Sequence, residues 1–222
     1  MRWLACIAFA VMHGACSSDA PMPDAQMVDA STGGLVIELV AKGGVPQMPT
    51  SNVEISYVLI SVKTLRAIGD AAPGDVRTTR TDPDLDPMVW QASPTGPLVP
   101  VPHLFPQAPP GVYSTIELRI DDSSLSAAAF DITGRVTRGG NLVPFEIQSR
   151  MTELSVEIAV MTVLPPRELA TASISVDVAE LIEDVDWDSV PLTGEGRLFI
   201  GDGDPNMADV ISELATAFKS AN

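Results

Sequence analysis

Acidic residues recur at the spacing of a calcium-binding loop towards the end of the chain. Asp184, Asp186, Asp188 and Glu195 occupy positions 1, 3, 5 and 12 of that spacing. Such an arrangement brings carboxylate oxygens together around a hard cation. Ser189 stands where the loop normally has a glycine for its sharp turn, so a calcium site here requires another loop geometry. The alternative is that these side chains are turn and capping residues on a solvated face.

A second loop repeats the same spacing further along the chain. Asp202, Asp204, Asn206 and Glu213 hold its four acidic or polar positions, but Met207 replaces the glycine. A chain with 29 acidic residues contains such spacings by chance. We therefore predict no resident cofactor and keep Ca²⁺ as a candidate ligand of either loop.

Groups for acid–base or covalent catalysis are scarce. His103 is the only histidine after residue 15, and between prolines it is expected to face solvent from a loop. The chain has no G-x-S-x-G nucleophile motif, and the sequence offers no means of choosing a pair of carboxylates for a glycosidase. Four aromatic residues could stack on sugar rings, although core packing explains them more simply: Trp90, Trp187, Tyr57 and Tyr113. We predict that the protein is not an enzyme.

The first residues have the composition of an export signal. Arg2 supplies a positive charge, and the apolar run over 3–12 is far shorter than the roughly 20 residues of a membrane-spanning helix. Small residues then precede Cys16. This pattern resembles the lipobox of bacterial lipoproteins, although His13 stands where that motif usually has an aliphatic residue. The resemblance implies a signal peptide over residues 1–15 and lipidation of Cys16.

Cysteine usage agrees with lipid attachment. Cys6 falls inside the expected signal, so Cys16 is the lone cysteine of the remaining chain and an internal disulfide is excluded. Acyl chains hold a protein firmly, since each buried methylene contributes about 0.8 kcal/mol. Residues 16–33 are rich in Pro, Asp, Ser and Gly and are expected to form a flexible tether. Ser17 lacks the acidic retention signal of lipoproteins, so the resemblance implies a cell-envelope protein at the outer membrane.

The charge balance limits the classes of partner. The formal net charge is −16, and no basic stripe interrupts the acidic residues. Such a chain repels phosphate backbones, which argues against nucleic-acid binding. An acidic surface also keeps an exported protein soluble. A charged partner is expected to be cationic, and the protein or glycan partner itself is not identified by the sequence.

Apolar and polar residues alternate with a period of two from residue 35 onward, which predicts β-strands. Gly139 and Gly140 separate two of these segments and predict a hairpin. Near the end the period becomes helical: Asp204 can cap a helix, Pro205 suits its first turn, and the apolar stripe runs to Phe218. Strands are predicted over 35–40, 53–64, 112–120, 130–137, 142–150, 154–160, 171–178 and 198–200.

Most of the prolines lie in one long stretch, 67–111, which is predicted to be an irregular insertion because proline cannot donate to a sheet ladder. Short strands are expected inside it at 89–91 and 98–101. Many strands, no regular βαβ alternation and a terminal helix predict a mainly β protein. The expected fold is a single antiparallel β-sandwich over 34–222, immunoglobulin-like or transthyretin-like, with a C-terminal amphipathic helix.

The segment from Pro109 to Leu118, PPGVYSTIEL, resembles the P-x-G-x-Y-x-x-I-x-L strand entry of an uncharacterised domain family of bacterial cell-envelope lipoproteins. The strand at 34–39 and the stretch 185–191 are similar to the start and the end of such proteins. The segment 42–44 departs from the family pattern, with Lys-Gly-Gly in place of Asp-Ala-Pro. The resemblance implies a β-sandwich without an established activity.

Together these features predict a membrane-anchored envelope lipoprotein whose non-catalytic sandwich serves binding or envelope structure. A calcium-dependent carbohydrate- or protein-binding module is the second hypothesis, and it depends on convergence of the acidic loops in space. A hydrolase is the third, and it requires a pocket that encloses paired carboxylates or His103.

Overall fold

The structure, a computed structural model, describes residues 33–221 except 43–46, 51, 71–76, 83, 85, 94–100, 124–125 and 151. The predicted signal peptide (1–15), the candidate lipidation site Cys16 and the tether up to residue 32 lie outside the described residues. In the part of the chain that is described, no helix has both the length and the apolar character needed to cross a bilayer.

Strands make up most of the described chain, because apolar side chains that face a core alternate with polar ones that face solvent. One α-helix, α1 (Pro205–Thr216), and a 3₁₀ turn (Glu180–Ile182) complete the described elements. In chain order the strands are β1 Gly34–Lys42, β2 Gln47–Thr50, β3 Val53–Asp70, β4 Arg77–Thr79, β5 Met88–Ala92, β6 Val101–Phe105, β7 Gly111–Ile120, β8 Phe130–Arg138, β9 Asn141–Ser149, β10 Leu154–Leu164, β11 Leu169–Asp177, β12 Leu198–Ile200 and β13 Phe218–Ser220.

The long strand β3 organises the larger sheet. Its Ser61 N–H donates to the carbonyl of Ala129 (2.8 Å), and its Ser61 carbonyl accepts from the N–H of Asp121 (3.3 Å). The N–H and C=O groups of one strand residue point to the same edge of the strand. β7 and β8 therefore lie one after the other along the same edge of β3. β10 continues the sheet beyond β7, and β9 and β12 continue it beyond β8. The short strands β2, β4 and β5 pair with β3 as well.

The smaller sheet has the order β13-β11-β1-β6 and packs against the larger one. Trp90 on β5 links the two sheets directly, since its buried indole N–H donates to the carbonyl of Leu39 on β1 at 3.2 Å. Inward-facing side chains of both sheets fill one continuous core. Fully buried members of that core include Tyr113, Phe130, Leu35, Ile37, Ile116, Ile132 and Ile147.

The predicted fold class is confirmed: the protein is mainly β, with two packed sheets and a C-terminal helix. The sheets are mixed rather than wholly antiparallel, because β1 pairs with β11 and β12 pairs with β9 in parallel. The strands of each parallel pair are separated by long connections, as parallel pairing requires. Such pairs leave no local pattern in the sequence.

The Pro-rich stretch contains more regular structure than predicted. β3 continues to Asp70, beyond its expected end at 64, because Leu65 and Ala67 are buried and β7 pairs with this part of the strand. β5 contains the predicted strand at 89–91. Of the strand expected at 98–101, residues 98–100 lie outside the described residues, and Val101 is the first residue of β6.

The C-terminal helix begins as predicted and ends earlier. Asp204 is its N-cap, and the carboxylate accepts the N–H of Asn206 at 2.9 Å. The helix ends at Thr216, and the chain then forms β13, which pairs with β11. The side chain of Phe218 is still buried, so the apolar period continues while the backbone changes from helix to strand.

Candidate functional site

The first acidic loop forms a tight turn that follows the 3₁₀ turn. Oδ1 of Asp186 accepts the N–H of Asp188 at 3.2 Å, and the Ser189 hydroxyl donates to the Asp186 carbonyl at 2.8 Å. The Asp188 side chain is 94% exposed. Glu195 lies on the following loop and forms an ion pair with Arg197 at 3.3 Å. Asp184 is exposed as well.

The second acidic loop uses its carboxylates for structure. Asp202 accepts hydrogen bonds from the Ser149 hydroxyl (2.6 Å) and from the N–H of Arg150 (3.0 Å), which fixes the loop to the end of β9. Asp204 caps α1. Both carboxylates therefore form the turn and capping hydrogen bonds that the sequence offered as the alternative to metal ligation.

A buried asparagine joins the two loops. The Asn206 amide donates to the Ser189 hydroxyl (3.2 Å) and to Oδ1 of Asp204 (3.1 Å), and its oxygen accepts the N–H of Asp186 (3.3 Å). Asn206 is only 8% exposed. The structure thus brings the two predicted loops side by side. Within the described residues it shows no cluster of three or more His, Cys, Asp or Glu side chains that could hold a metal ion, and Ca²⁺ stays a prediction.

A cleft of about 260 Å³ opens beside the first acidic loop. Arg138 on β8 holds this loop against the sheet by donating to the carbonyls of Asp188 (2.7 Å) and Val190 (2.6 Å). Five polar or charged residues and one tryptophan contribute to the wall of the cleft. They are Asn52, Thr137, Glu183, Asp186, Asp188 and Trp187.

Trp187 contributes the aromatic surface of the cleft. Its ring packs against Phe145 of β9, with ring centroids 4.5 Å apart and planes inclined by 46°. Phe145 is buried in the core, so the indole has a rigid support. Of the four aromatic residues considered from the sequence, Trp90 and Tyr113 are core residues, whereas Trp187 and Tyr57 are partly exposed.

His103 lies in a strand and contacts neighbouring side chains, which differs from the prediction. It lies in β6 opposite Ile37 of β1, rather than in a solvent-facing loop, and 25% of its side chain is exposed. Its Nε2 contacts the carboxylate of Asp84, and its ring meets Phe105 edge-on with centroids 4.8 Å apart. The loop placement was wrong because β6 pairs with β1, a distant strand.

A pair of carboxylates on the outer face of the larger sheet was missed from the sequence. Asp131 on β8 lies opposite Gln148 on β9, and Glu146 lies two register positions further along β9, on the same face of the sheet. Burial raises the pKa of Asp131 and the charge of Glu146 raises it further, whereas a hydrogen bond from Gln148 lowers it. Counting outward from the Gly139–Gly140 hairpin would have aligned these residues, because a two-residue turn fixes the register.

Asp131→Asn is expected to raise the melting temperature at pH 7. The folded-state pKa of Asp131 is raised, so the folded protein loses stability as the pH rises through that pKa and the carboxylate ionises. The advantage of the amide should therefore shrink as the pH falls towards the ordinary pKa of aspartate. Thermal unfolding at pH 7, 5 and 4 measures this difference. Glu157→Gln, an exposed position on β10 with the same change of charge, is the control. An equal rise in melting temperature for both variants would contradict a raised pKa of Asp131 in the folded protein.

Comparisons with known protein families, with curated protein sequences and with solved structures find no match to this chain. The protein is therefore defined by its own fold and surface: a two-sheet β-sandwich with a C-terminal helix and an aromatic cleft beside acidic loops. The resemblance to envelope lipoproteins stays a prediction.

Proposed function

We propose that this chain is a lipid-anchored protein of the bacterial cell envelope whose β-sandwich binds a cationic ligand rather than catalysing a reaction. The observation that carries the binding proposal is the cleft around Trp187. The lipobox-like segment that ends at Cys16 supports the anchor.

A positively charged group is the ligand that best fits the lining of the cleft. The face of an indole attracts cations, and an ammonium or guanidinium group near a tryptophan gains from about 0.5 to 2 kcal/mol. Glu183, Asp186 and Asp188 add negative charge at the same place. The net charge of −16 raises the local concentration of cationic partners still further.

An organic cation fits this cleft better than Ca²⁺. Calcium requires six to eight oxygen ligands at about 2.3–2.6 Å, which must converge on one point. Oδ1 of Asp186 is engaged with the N–H of Asp188, and the exposed Asp188 carboxylate forms an ion pair with Arg138, with Nε and Oδ1 3.9 Å apart. A volume of about 260 Å³ accommodates a side-chain head group rather than a single ion. The ligand proposed here is a lysine or arginine side chain of a protein partner.

The binding test uses a blocked Gly-Arg-Gly peptide as the probe and follows the tryptophan indole signals by NMR. We expect saturable shifts of the Trp187 signal and a loss of affinity of about tenfold or more in Trp187→Ala. Asp186→Asn should weaken binding more than Glu168→Gln, which makes the same change of net charge at an exposed turn. Equal effects at the two positions, or no saturable shift, would overturn the proposal.

The anchor is tested separately on the full chain expressed in a bacterial host. We expect the wild-type protein in the membrane fraction and Cys16→Ser in the soluble fraction of the envelope. Retention of the variant on membranes would refute lipidation of Cys16. Thermal unfolding with calcium and with chelator completes the test, because a rise in melting temperature of several degrees with Ca²⁺ would replace the organic cation by a metal.

A further inference from the structure

We propose that the outer face of the larger sheet around Asp131 is a second binding site, and that it takes an uncharged oligosaccharide. This site lies on β3, β8, β9 and β12, and it is independent of the ligand proposed for the Trp187 cleft. Four outward-facing residues, Tyr57, Thr133, Glu146 and Phe199, form a row across these strands, and we call them the cross-strand row.

The spacing of the cross-strand row suits an extended sugar chain. Register pairs join Tyr57 to Thr133, Thr133 to Glu146, and Glu146 to Phe199. Neighbouring strands lie about 4.8 Å apart, so three intervals place the two aromatic residues roughly 14 Å apart. Tyr57 is partly exposed and Phe199 is 37% exposed. Two apolar rings with polar groups between them can each support a sugar ring of one oligosaccharide.

The ring of Phe199 is held in place by the chain itself. A Cβ at Gly201 would lie 2.6 Å from Cε1 of Phe199, so the aromatic ring rests against the backbone of this glycine. A ring that is already placed loses little conformational entropy when a ligand stacks on it. The absence of a side chain at Gly201 therefore allows the Phe199 ring to keep this position on the outer face of the sheet.

Asp131 supplies an acceptor that the described residues leave unused. Its Oδ1 is buried and receives no hydrogen bond from them. Burial of such an atom without a partner costs free energy. Neighbouring atoms cover Oδ1, so a donor from a ligand recovers that cost only when a neighbouring side chain moves aside. Sugar hydroxyl groups are donors of this kind. The Gln148 amide, directly opposite Asp131, adds a further polar group beside the row.

The charges of this face are balanced, unlike those of the whole chain. Glu146 forms an ion pair with Arg197, and Oε1 of Gln148 accepts from Nε of Arg150 at 3.2 Å. Arg135 is exposed on the same side of β8. A cationic ligand therefore meets nearby guanidinium groups here, whereas a polyanion meets Asp131. An uncharged polar ligand is repelled neither by the guanidinium groups nor by Asp131.

Isothermal titration of the full chain carrying Cys16→Ser with chitohexaose and cellohexaose, against the corresponding monosaccharides, tests the site. We expect at least one hexasaccharide to bind at millimolar concentrations or below, and its monosaccharide to bind far more weakly. Tyr57→Ala and Phe199→Ala should each weaken binding about tenfold, which corresponds to about 1.4 kcal/mol. Asp131→Asn removes the charge yet keeps an acceptor, so it should weaken binding less than Asp131→Leu.

Two further variants make the outcome decisive. Gly201→Val should displace the Phe199 ring and weaken sugar binding without removing any polar group. Trp187→Ala should leave sugar binding unchanged, because the Trp187 cleft is a separate site. Melting temperatures of all variants show which of them remain folded. Absence of heat with both hexasaccharides, or equal weakening by Trp187→Ala, would overturn the proposal.

Discussion

Gly134→Val is expected to destabilise the larger sheet strongly. Gly134 lies on β8 between Ile55 of β3 and Phe145 of β9. A Cβ at this position would lie 2.0 Å from the carbonyl oxygen of Glu54 and 2.6 Å from Cζ of Phe145. No rotamer removes a contact with a backbone atom, so the cost exceeds the 1–3 kcal/mol that is typical of overpacking, at about 3 kcal/mol or more. Urea unfolding followed by circular dichroism measures the loss.

The control for this prediction is Gly194→Ala. A Cβ at Gly194 meets no heavy atom within 4 Å. The free energy of unfolding should therefore change by only about 0.5 kcal/mol. If Gly134→Val instead unfolded at the wild-type midpoint, the close packing of β3, β8 and β9 would be refuted.

Trp90→Ala is expected to destabilise the sandwich by about 3–5 kcal/mol, which is the usual cost of removing a large aromatic side chain from a core. The indole is 3% exposed and fills space between the sheets. Its N–H donates to the Leu39 carbonyl, so truncation also leaves that buried oxygen without this donor. Thermal and urea unfolding of the variant give the free energy.

Trp90→Phe retains part of the packing. Phenylalanine keeps a six-membered apolar ring between the sheets but removes the N–H donor and part of the indole volume, so we expect a loss smaller than that of Trp90→Ala, about 1–3 kcal/mol. A loss equal to that of Trp90→Ala would mean that packing of the retained ring contributes nothing. No loss in either variant would contradict the contact between β5 and β1.

Local signals account for the part of the fold that was predicted. The glycines at 139 and 140 adopt positive φ values of 58° and 80° in the β8–β9 hairpin, where other residues would be strained. Asp204 and Pro205 begin α1 as their chemistry requires. Each of these features depends on residues only a few positions apart, and such signals are visible in a sequence.

Contacts between distant strands account for what was missed. The parallel pairs of β1 with β11 and of β9 with β12 have no local signature, and neither has the strand that follows α1. The same holds for the candidate sites. The sequence located each acidic loop, but the bonds of Asn206 between the loops became visible only in the fold. Counting the register of the β8–β9 hairpin from its turn would have placed Asp131 and Glu146 on one face, but this placement was missed from the sequence.

The pairing of β1 determines when the smaller sheet can form during synthesis and folding. β1 lies between β6 and β11, and β13 closes the other side of β11. The Lys42–Asp177 ion pair spans 135 residues of sequence. Long-range pairing of this kind slows folding, because chain entropy is lost before the contact is gained. A growing chain therefore cannot complete this sheet until residues 218–220 are available, and β1 cannot pair with β11 until residues 169–177 have been synthesised.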